Sequence, residues 1–127
     1  MEKGENGGTQ KPRDIRERTF EFSVQVVRVC QQLDEKPGVG RTLGKQLLRA
    51  GTSIGANVEE AQAGQSRADF ISKNMIALKE ARETYYWLRL LSAAQVSSAP
   101  GIPELQQEAE ELTRILGAII VSAKRPK

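Results

Sequence analysis

The stretch QLLRAGTSIGANVEEA, Gln46–Ala61, decides the fold class of this chain. Its apolar residues recur at steps of three and four, the spacing of one face of an α-helix; they are Leu47, Ala50, Ile54, Val58 and Ala61. A narrow polar seam follows the same steps one position earlier, formed by Ser53, Asn57 and Glu60. We expect this seam to fix the register of the helix inside the protomer or at an interface.

Two glycines lie four residues apart in the same segment, at Gly51 and Gly55. Each glycine inside a helix costs about 1 kcal/mol relative to alanine. Close packing of a neighbouring backbone would offset that cost, so we expect another helix to approach here.

The composition favours helices throughout a single domain. The chain has 127 residues, of which 5% are aromatic, fewer than a β-sandwich usually carries. Good helix formers, namely Ala, Leu, Glu, Gln and Arg, dominate instead. Helical spacing predicts helices at about Ile15 or Thr19 to Leu33, Arg41 to Ala63, Arg67 to Ala94, and Pro103 to Ala123.

The connections between these helices predict their arrangement. The loops 34–40 and 96–103 contain proline and glycine, whereas only Gly64 and its neighbours separate the second helix from the third. So short a break indicates an antiparallel hairpin. We therefore predict an all-α fold, an antiparallel up-down-up-down four-helix bundle, with Ser66 and Asp69 resembling a capping box at the third helix.

The ends of the chain differ from its centre in amino-acid composition. Residues 1–16 are polar and contain glycine, and we predict a disordered N-terminal arm. Residues 17–124 form the predicted bundle, and residues 125–127 form a basic C-terminal tail. We see no signal peptide and no apolar run long enough to span a membrane, so we expect a soluble, cytoplasmic protein without a membrane partner.

The first helix carries more apolar surface than a monomer needs. One face holds Phe22, Val26, Val29 and Leu33, and a second holds Phe20, Val24 and Val27. A surface helix of a monomer normally has one apolar face. The extra face predicts self-association.

Catalysis is not expected. The chain has no histidine and a single cysteine, Cys30, which we interpret as a small buried side chain. No phosphate-binding glycine loop is present, and no cofactor is expected. Four carboxylates could suggest a metal site, namely Glu59, Glu60, Glu80 and Glu83. We expect instead that Glu80 and Glu83 form ion pairs with Lys79, Arg82 or cations on a neighbour, and that Glu60 completes the polar seam.

Cations at helical spacing are the remaining functional signal. Arg41, Lys45 and Arg49 stand four apart, and a looser row follows on the third helix at Lys79, Arg82 and Arg89. Such ridges attract a phosphate backbone, although an ordinary solvated face is the alternative. The net charge of +3 permits nucleic-acid binding without requiring it.

A helix-turn-helix is a rival interpretation of the central segment. It would place a turn at Gly51 and a recognition helix carrying Ser53 and Asn57. The apolar spacing, however, passes through Gly51 without a change of phase. Glu59 and Glu60 would also face phosphates poorly.

Several pieces in order resemble the bacterial four helix bundle proteins, which include proteins encoded in intervening sequences of 23S ribosomal RNA genes. The pieces are Gln46–Ala50, Ser53–Ile54, Asn57–Glu60, and Ser66–Arg67 followed by Phe70. The resemblance covers about Thr19 to Ala94. It implies a four-helix protomer in an oligomeric ring, commonly a homopentamer, with no known catalytic activity.

The accessory protein of diversity-generating retroelements is similar as well. That likeness implies a basic barrel that engages nucleic acid and a reverse transcriptase. Our leading hypothesis is a non-enzymatic homo-oligomer that binds nucleic acid, RNA or DNA with RNA favoured, through repeated ridges. Changing Arg41, Lys45 and Arg49 to glutamine should then weaken RNA binding. The alternative is a protein-interaction scaffold without a nucleic-acid role.

Overall fold

The computed structural model describes residues 14–126, and these residues form four α-helices and no strand. The helices are α1 (Ile15–Leu33), α2 (Val39–Gln62), α3 (Arg67–Ala93) and α4 (Ile102–Lys124). The predicted all-α, four-helix fold is confirmed, with each helix end within two residues of a predicted position. Ile15 and Arg16, assigned to the arm, belong to α1. Residues 1–13 and Lys127 lie outside the described residues.

Short polar side chains begin two of the helices. The Asp14 carboxylate accepts a hydrogen bond from the backbone N–H of Arg16 at 3.0 Å. At α3 the Ser66 hydroxyl accepts from the backbone N–H of Asp69 at 3.1 Å, so the predicted N-cap is present. These acceptors satisfy backbone donors that a helix start leaves without partners.

The second helix runs without interruption through Gly51. It extends from Val39 to Gln62 as one α-helix, and Ile54 and Val58 continue the buried face that Leu47 begins. No turn divides this segment into two helices. The helix-turn-helix interpretation is therefore wrong, because the apolar stripe stays in phase and both halves pack on the same core.

The core lies where the apolar faces of the four helices meet. Its largest fully buried apolar side chains are Val26, Leu47, Ile54, Val58, Leu88, Leu91, Leu112 and Leu116. Three buried polar side chains, Thr19, Asn74 and Thr84, each donate a hydrogen bond to a carbonyl one turn earlier in their own helix. Burial therefore leaves these donors satisfied.

Glycines on α2 lie where α1 approaches. A Cβ atom on Gly51 would come within 2.9 Å of both γ-carbons of Val26, and one on Gly55 within 3.2 Å of the Thr19 carbonyl oxygen. The separation at Gly51 is shorter than real Cβ contacts allow, so the approach of α1 requires glycine there, whereas at Gly55 the contact would be tight and would need the backbone of α1 to give by a few tenths of an ångström. The residue of α1 that faces α2 is Val26 at Gly51 and Thr19 at Gly55. Its number therefore falls as the number along α2 rises.

A groove of about 520 Å³ separates parts of α1 and α4. Phe22, Val29 and Leu105 line it. Beside it the Arg18 guanidinium donates two hydrogen bonds to the Glu108 carboxylate, at 2.6 and 2.8 Å. This ion pair joins the first helix to the last.

Candidate nucleic-acid interface

Arg41, the first cation of the α2 ridge, is held by the end of α1. Its guanidinium donates to the Asp34 carbonyl oxygen at 2.7 and 3.2 Å, and its Nε lies 3.1 Å from the Asp34 carboxylate. The charge of Arg41 is therefore balanced within the protomer.

Arg49, at the other end of the ridge, is held by α3. Its guanidinium pairs with the Glu83 carboxylate and lies 3.3 Å from an oxygen of Glu80. Glu83 also accepts a hydrogen bond from the indole N–H of Trp87 at 3.0 Å. The indole donor first, and then Arg49, hold the pKa of the Glu83 carboxyl below its usual range.

Lys45 differs from its two neighbours on the ridge. Its side chain is exposed, and no ion-pair partner for it occurs among residues 14–126. It borders a groove of about 320 Å³ between α1 and α2, beside Val27 and Leu48. The structure thus places the three predicted ridge cations in a row and leaves only the middle one unpaired.

The three predicted cations of the α3 row, Lys79, Arg82 and Arg89, are exposed and have no carboxylate within 4 Å in the described part of the chain. Arg89 lies with its guanidinium carbon 5.8 Å from the centre of the Tyr85 ring. Arg82 borders the outer apolar surface of α3. Lys79 contributes to lowering the pKa of Glu83 without forming a direct ion pair.

The polar seam bonds mainly to its own helix. The Ser53 hydroxyl donates to the Arg49 carbonyl at 2.7 Å, and the Asn57 amide donates to the Ser53 carbonyl at 2.8 Å. Glu60 turns instead to α3, where it lies 3.0 Å from the Lys73 ammonium. This ion pair links α2 to α3, and the expectation that Ser53, Asn57 and Glu60 fix the register of the helix stays a prediction.

A family model described as 23S rRNA-intervening sequence protein matches residues 11–118 of this chain. The chain belongs to this family. The resemblance expected from the sequence is thereby confirmed. None of the curated proteins compared with the chain is similar to it.

A solved structure is similar to this family member over most of its length. It is described as a protein with unknown function from the S23 ribosomal protein family of Bacteroides thetaiotaomicron VPI-5482. The two chains share 40% sequence identity, covering 84% of this chain and 98% of the other, with a TM-score of 0.76. The shared fold supports the four-helix architecture.

The carboxylates considered for a metal site do not come together in this member of the family. Within residues 14–126, no three histidine, cysteine, aspartate or glutamate side chains are grouped as a metal ion would require. Glu80 and Glu83 bind Arg49, a cation on a neighbouring helix as expected. Among the described helices, none is long and apolar enough to cross a membrane.

Cys30 is buried, as its apolar neighbours suggested. Its thiol lies 3.3 Å from the Gly44 carbonyl oxygen and donates to it. Burial raises the pKa of Cys30 to about 11, so the side chain is a neutral thiol near pH 7. A thiol is a much weaker nucleophile than a thiolate.

Sequence reasoning missed the place of Tyr86 among the α3 cations. Tyr86 is 53% exposed and packs edge-on against Trp87, with ring centres 5.2 Å apart. The signal was available, because Tyr86 follows Arg82 by four residues and precedes Arg89 by three. Residues at those spacings are neighbours on a helix surface.

Proposed function

We propose that this protein is a non-enzymatic, cytoplasmic homo-oligomer that binds RNA through cations repeated in every protomer. Each protomer would be an antiparallel up-down-up-down bundle, and the protomers would form a ring. The observation that carries the RNA part is the presence on α3 of exposed cations without carboxylate partners among the described residues.

Residue pairs between helices support the antiparallel arrangement. On α2 and α3, Arg49 meets Glu80 and Glu83, whereas Glu60 meets Lys73. On α3 and α4, the Arg67 guanidinium near the start of one helix binds the Ala123 carbonyl near the end of the other, at 2.6 Å. Residue numbers therefore run in opposite directions along each neighbouring pair.

Exposed apolar side chains support self-association. Phe20 is 68% exposed on α1, and Val27 of α1 and Leu48 of α2 line one groove between these helices. On α3, Met75 is 47% exposed and borders an outer surface with Ile71 and Ile76. Soluble monomers rarely expose large contiguous apolar patches, so we infer that copies of the chain cover them.

The positions of these two apolar surfaces favour a ring. We name the surface formed by Phe20, Val27 and Leu48 the α1–α2 surface, and that formed by Ile71, Met75 and Ile76 the α3 surface. When the α3 surface of one copy packs onto the α1–α2 surface of another, each of the two copies keeps one unused surface. Such head-to-tail contacts close into rings when the rotation permits. Lys45, Lys79 and Arg82 border these surfaces and would lie at the rim of the interface, with their charged ends open to RNA.

The ion pairs change the order of the candidate RNA ligands. Asp34 neutralises Arg41, and Glu80 with Glu83 neutralises Arg49, so a phosphate would have to displace a carboxylate at either. Among the described residues, no such carboxylate competes for Lys45 or for Lys79, Arg82 and Arg89 of α3. We therefore place Lys79, Arg82, Arg89 and Lys45 ahead of Arg41 and Arg49.

Two matched double variants test this order. Arg82→Gln with Arg89→Gln, and Arg41→Gln with Arg49→Gln, each remove two positive charges. We expect the first pair to weaken RNA binding and to flatten its salt dependence by about 0.7 for each lost phosphate contact. We expect the second to leave that slope nearly unchanged, with a smaller loss of affinity, because Glu80 and Glu83, freed from Arg49, would offset part of the charge of Lys79 and Arg82. Gel shifts with labelled RNA across a salt series measure both.

A slope that changes only in the second variant would reverse the assignment. The scaffold alternative has its own support, because an apolar surface on α3 also suits a protein partner. Purification without nuclease separates the two functions. Co-purified RNA supports RNA binding, whereas an absence of nucleic acid together with unchanged gel shifts for every RNA tested favours the scaffold.

A further inference from the structure

One line of side chains on α3 combines charge with an exposed aromatic ring. Lys79, Arg82, Tyr86 and Arg89 follow one another at steps of three, four and three residues, so they form one stripe along the helix. The stripe extends over about 15 Å at the rise of an α-helix. All four side chains are exposed.

The ring of Tyr86 packs against a neighbouring aromatic ring. Trp87 meets it at an angle of 74°, and the Trp87 indole is itself tied to Glu83 at 3.0 Å. More than half of Tyr86 remains accessible, and its hydroxyl has no hydrogen-bond partner within residues 14–126. The ring is therefore steadied by a fixed neighbour while it still offers surface to a ligand.

The negative charges nearest to the stripe are already engaged. Glu80 and Glu83 are the α3 carboxylates that lie between Lys79 and Tyr86 in sequence, and Arg49 from α2 pairs with both. Arg49 offsets one of these two negative charges, so the sum over Glu80, Glu83, Arg49 and the three cations of the stripe stays positive. The stripe keeps a net positive charge, which suits a polyanion.

Arg89 extends the aromatic character of the surface. Its guanidinium carbon lies 5.8 Å from the centre of the Tyr85 ring, a distance typical of a cation–π contact. A guanidinium placed over a ring keeps N–H groups at its edge, and these groups suit phosphate oxygens.

We propose that this stripe binds single-stranded RNA, with an unpaired base stacked on Tyr86 and phosphates held by Lys79, Arg82 and Arg89. The inference rests on the proposed RNA-binding function and adds the strand class to it. Bases in a duplex are already stacked on each other, so only an unpaired base presents a face to a tyrosine. Aromatic rings interleaved with cations are the usual platform for single strands.

Tyr86→Ala is the first test, read by fluorescence anisotropy with a labelled single-stranded RNA and a hairpin of the same length. We expect the variant to bind the single strand about 5- to 100-fold more weakly, the range that loss of one base stack produces. Its salt slope should stay unchanged, because no phosphate contact is lost. Binding to the hairpin stem should also stay unchanged.

Two further variants distinguish stacking from simple apolar contact. Tyr86→Phe keeps the ring and should bind within about twofold of the original protein, whereas Tyr86→Leu keeps the apolar bulk and should bind like Tyr86→Ala. Trp87 is the only tryptophan of the chain and touches Tyr86. Its emission should therefore change when single-stranded RNA binds, and this change should be absent in Tyr86→Ala.

The outcomes separate this inference from the proposed function. If Tyr86→Ala binds as tightly as the original while Arg82→Gln with Arg89→Gln loses affinity, the RNA-binding function stands and the stacking role is wrong. If the unaltered protein binds no RNA, both are wrong. Equal losses for strand and hairpin, full binding by Tyr86→Leu, or a changed particle mass of Tyr86→Ala would each overturn the stacking role.

Discussion

At Gly51 the backbone of α2 comes so close to α1 that a single added carbon would collide with it. The obstacle is Val26, whose two γ-carbons would lie 2.9 Å from the new Cβ. Val26 is fully buried, and a β-branched side chain has few alternative rotamers. Val26 therefore cannot easily move aside to make room for a Cβ at position 51.

Gly51→Ala should consequently destabilise the protein even though alanine is the better helix former. Overpacking a core costs about 1–3 kcal/mol, which exceeds the roughly 1 kcal/mol gained in helix propensity. Gly117→Ala is the matched control on α4, because no atom lies within 4 Å of its new Cβ. That control should stabilise the protein by up to about 1 kcal/mol, as measured by urea unfolding.

A stabilising Gly51→Ala would show that α1 and α2 lie further apart than the structure places them. The need for glycine at this site was partly predictable, since two glycines inside an otherwise good helix are costly. The neighbour responsible was not, because Val26 lies in a different helix and nothing in the local sequence fixes which turn of α1 faces Gly51.

At the scale of helices, α1 and α4 meet through a specific ion pair. Arg18 and Glu108 form two hydrogen bonds, and their side chains are 26% and 25% exposed. Partial burial and two-point geometry make this pair stronger than a typical surface pair. It spans 90 residues of sequence and joins the two ends of the helical fold.

A double-mutant cycle on Arg18→Gln and Glu108→Gln should give a coupling free energy of about 1 kcal/mol. The control cycle uses Arg114 and Glu111, a pair within one turn of α4 whose arginine is 63% exposed. We expect a smaller coupling there, because solvent screens an exposed pair. Equal coupling in both cycles, measured by chemical unfolding at low salt, would mean that the α1–α4 pair has no special role.

The four helices themselves could be predicted because their signals are local. Apolar steps of three and four mark each buried face, Ser66 marks the start of α3, and prolines and glycines mark the two longer loops. The ion pairs of the candidate site could not be predicted from such local signals. Arg49 meets Glu80 and Glu83 across 31 and 34 residues, and those meetings depend on how α2 is aligned against α3.

The ranking of candidate RNA ligands changed for the same reason. Spacing on one helix showed that Arg41, Lys45 and Arg49 share a face, and the structure does place them in a row. Spacing does not show which carboxylates of other elements reach that face. Asp34 and the two α3 glutamates do reach it, and they leave Lys45 as the unpaired member.

At the scale of the whole molecule, the outer apolar surfaces are the feature that most needs a partner. Met75, 47% exposed, belongs to the α3 surface, and Phe20, 68% exposed, belongs to the α1–α2 surface. In the proposed ring both are covered by a neighbouring copy. A single charge placed on either surface would then be desolvated at every interface of the ring, at a cost of several kcal/mol.

The mass of the particle in solution tests this account most directly. Size exclusion coupled to light scattering should give about 70 kDa for five copies of the 14.0 kDa chain, and Met75→Glu should reduce that mass while the helical content stays the same. An unaltered protein that elutes as a single 14.0 kDa chain, or as a dimer in which the same surface of both copies meets, would contradict the ring.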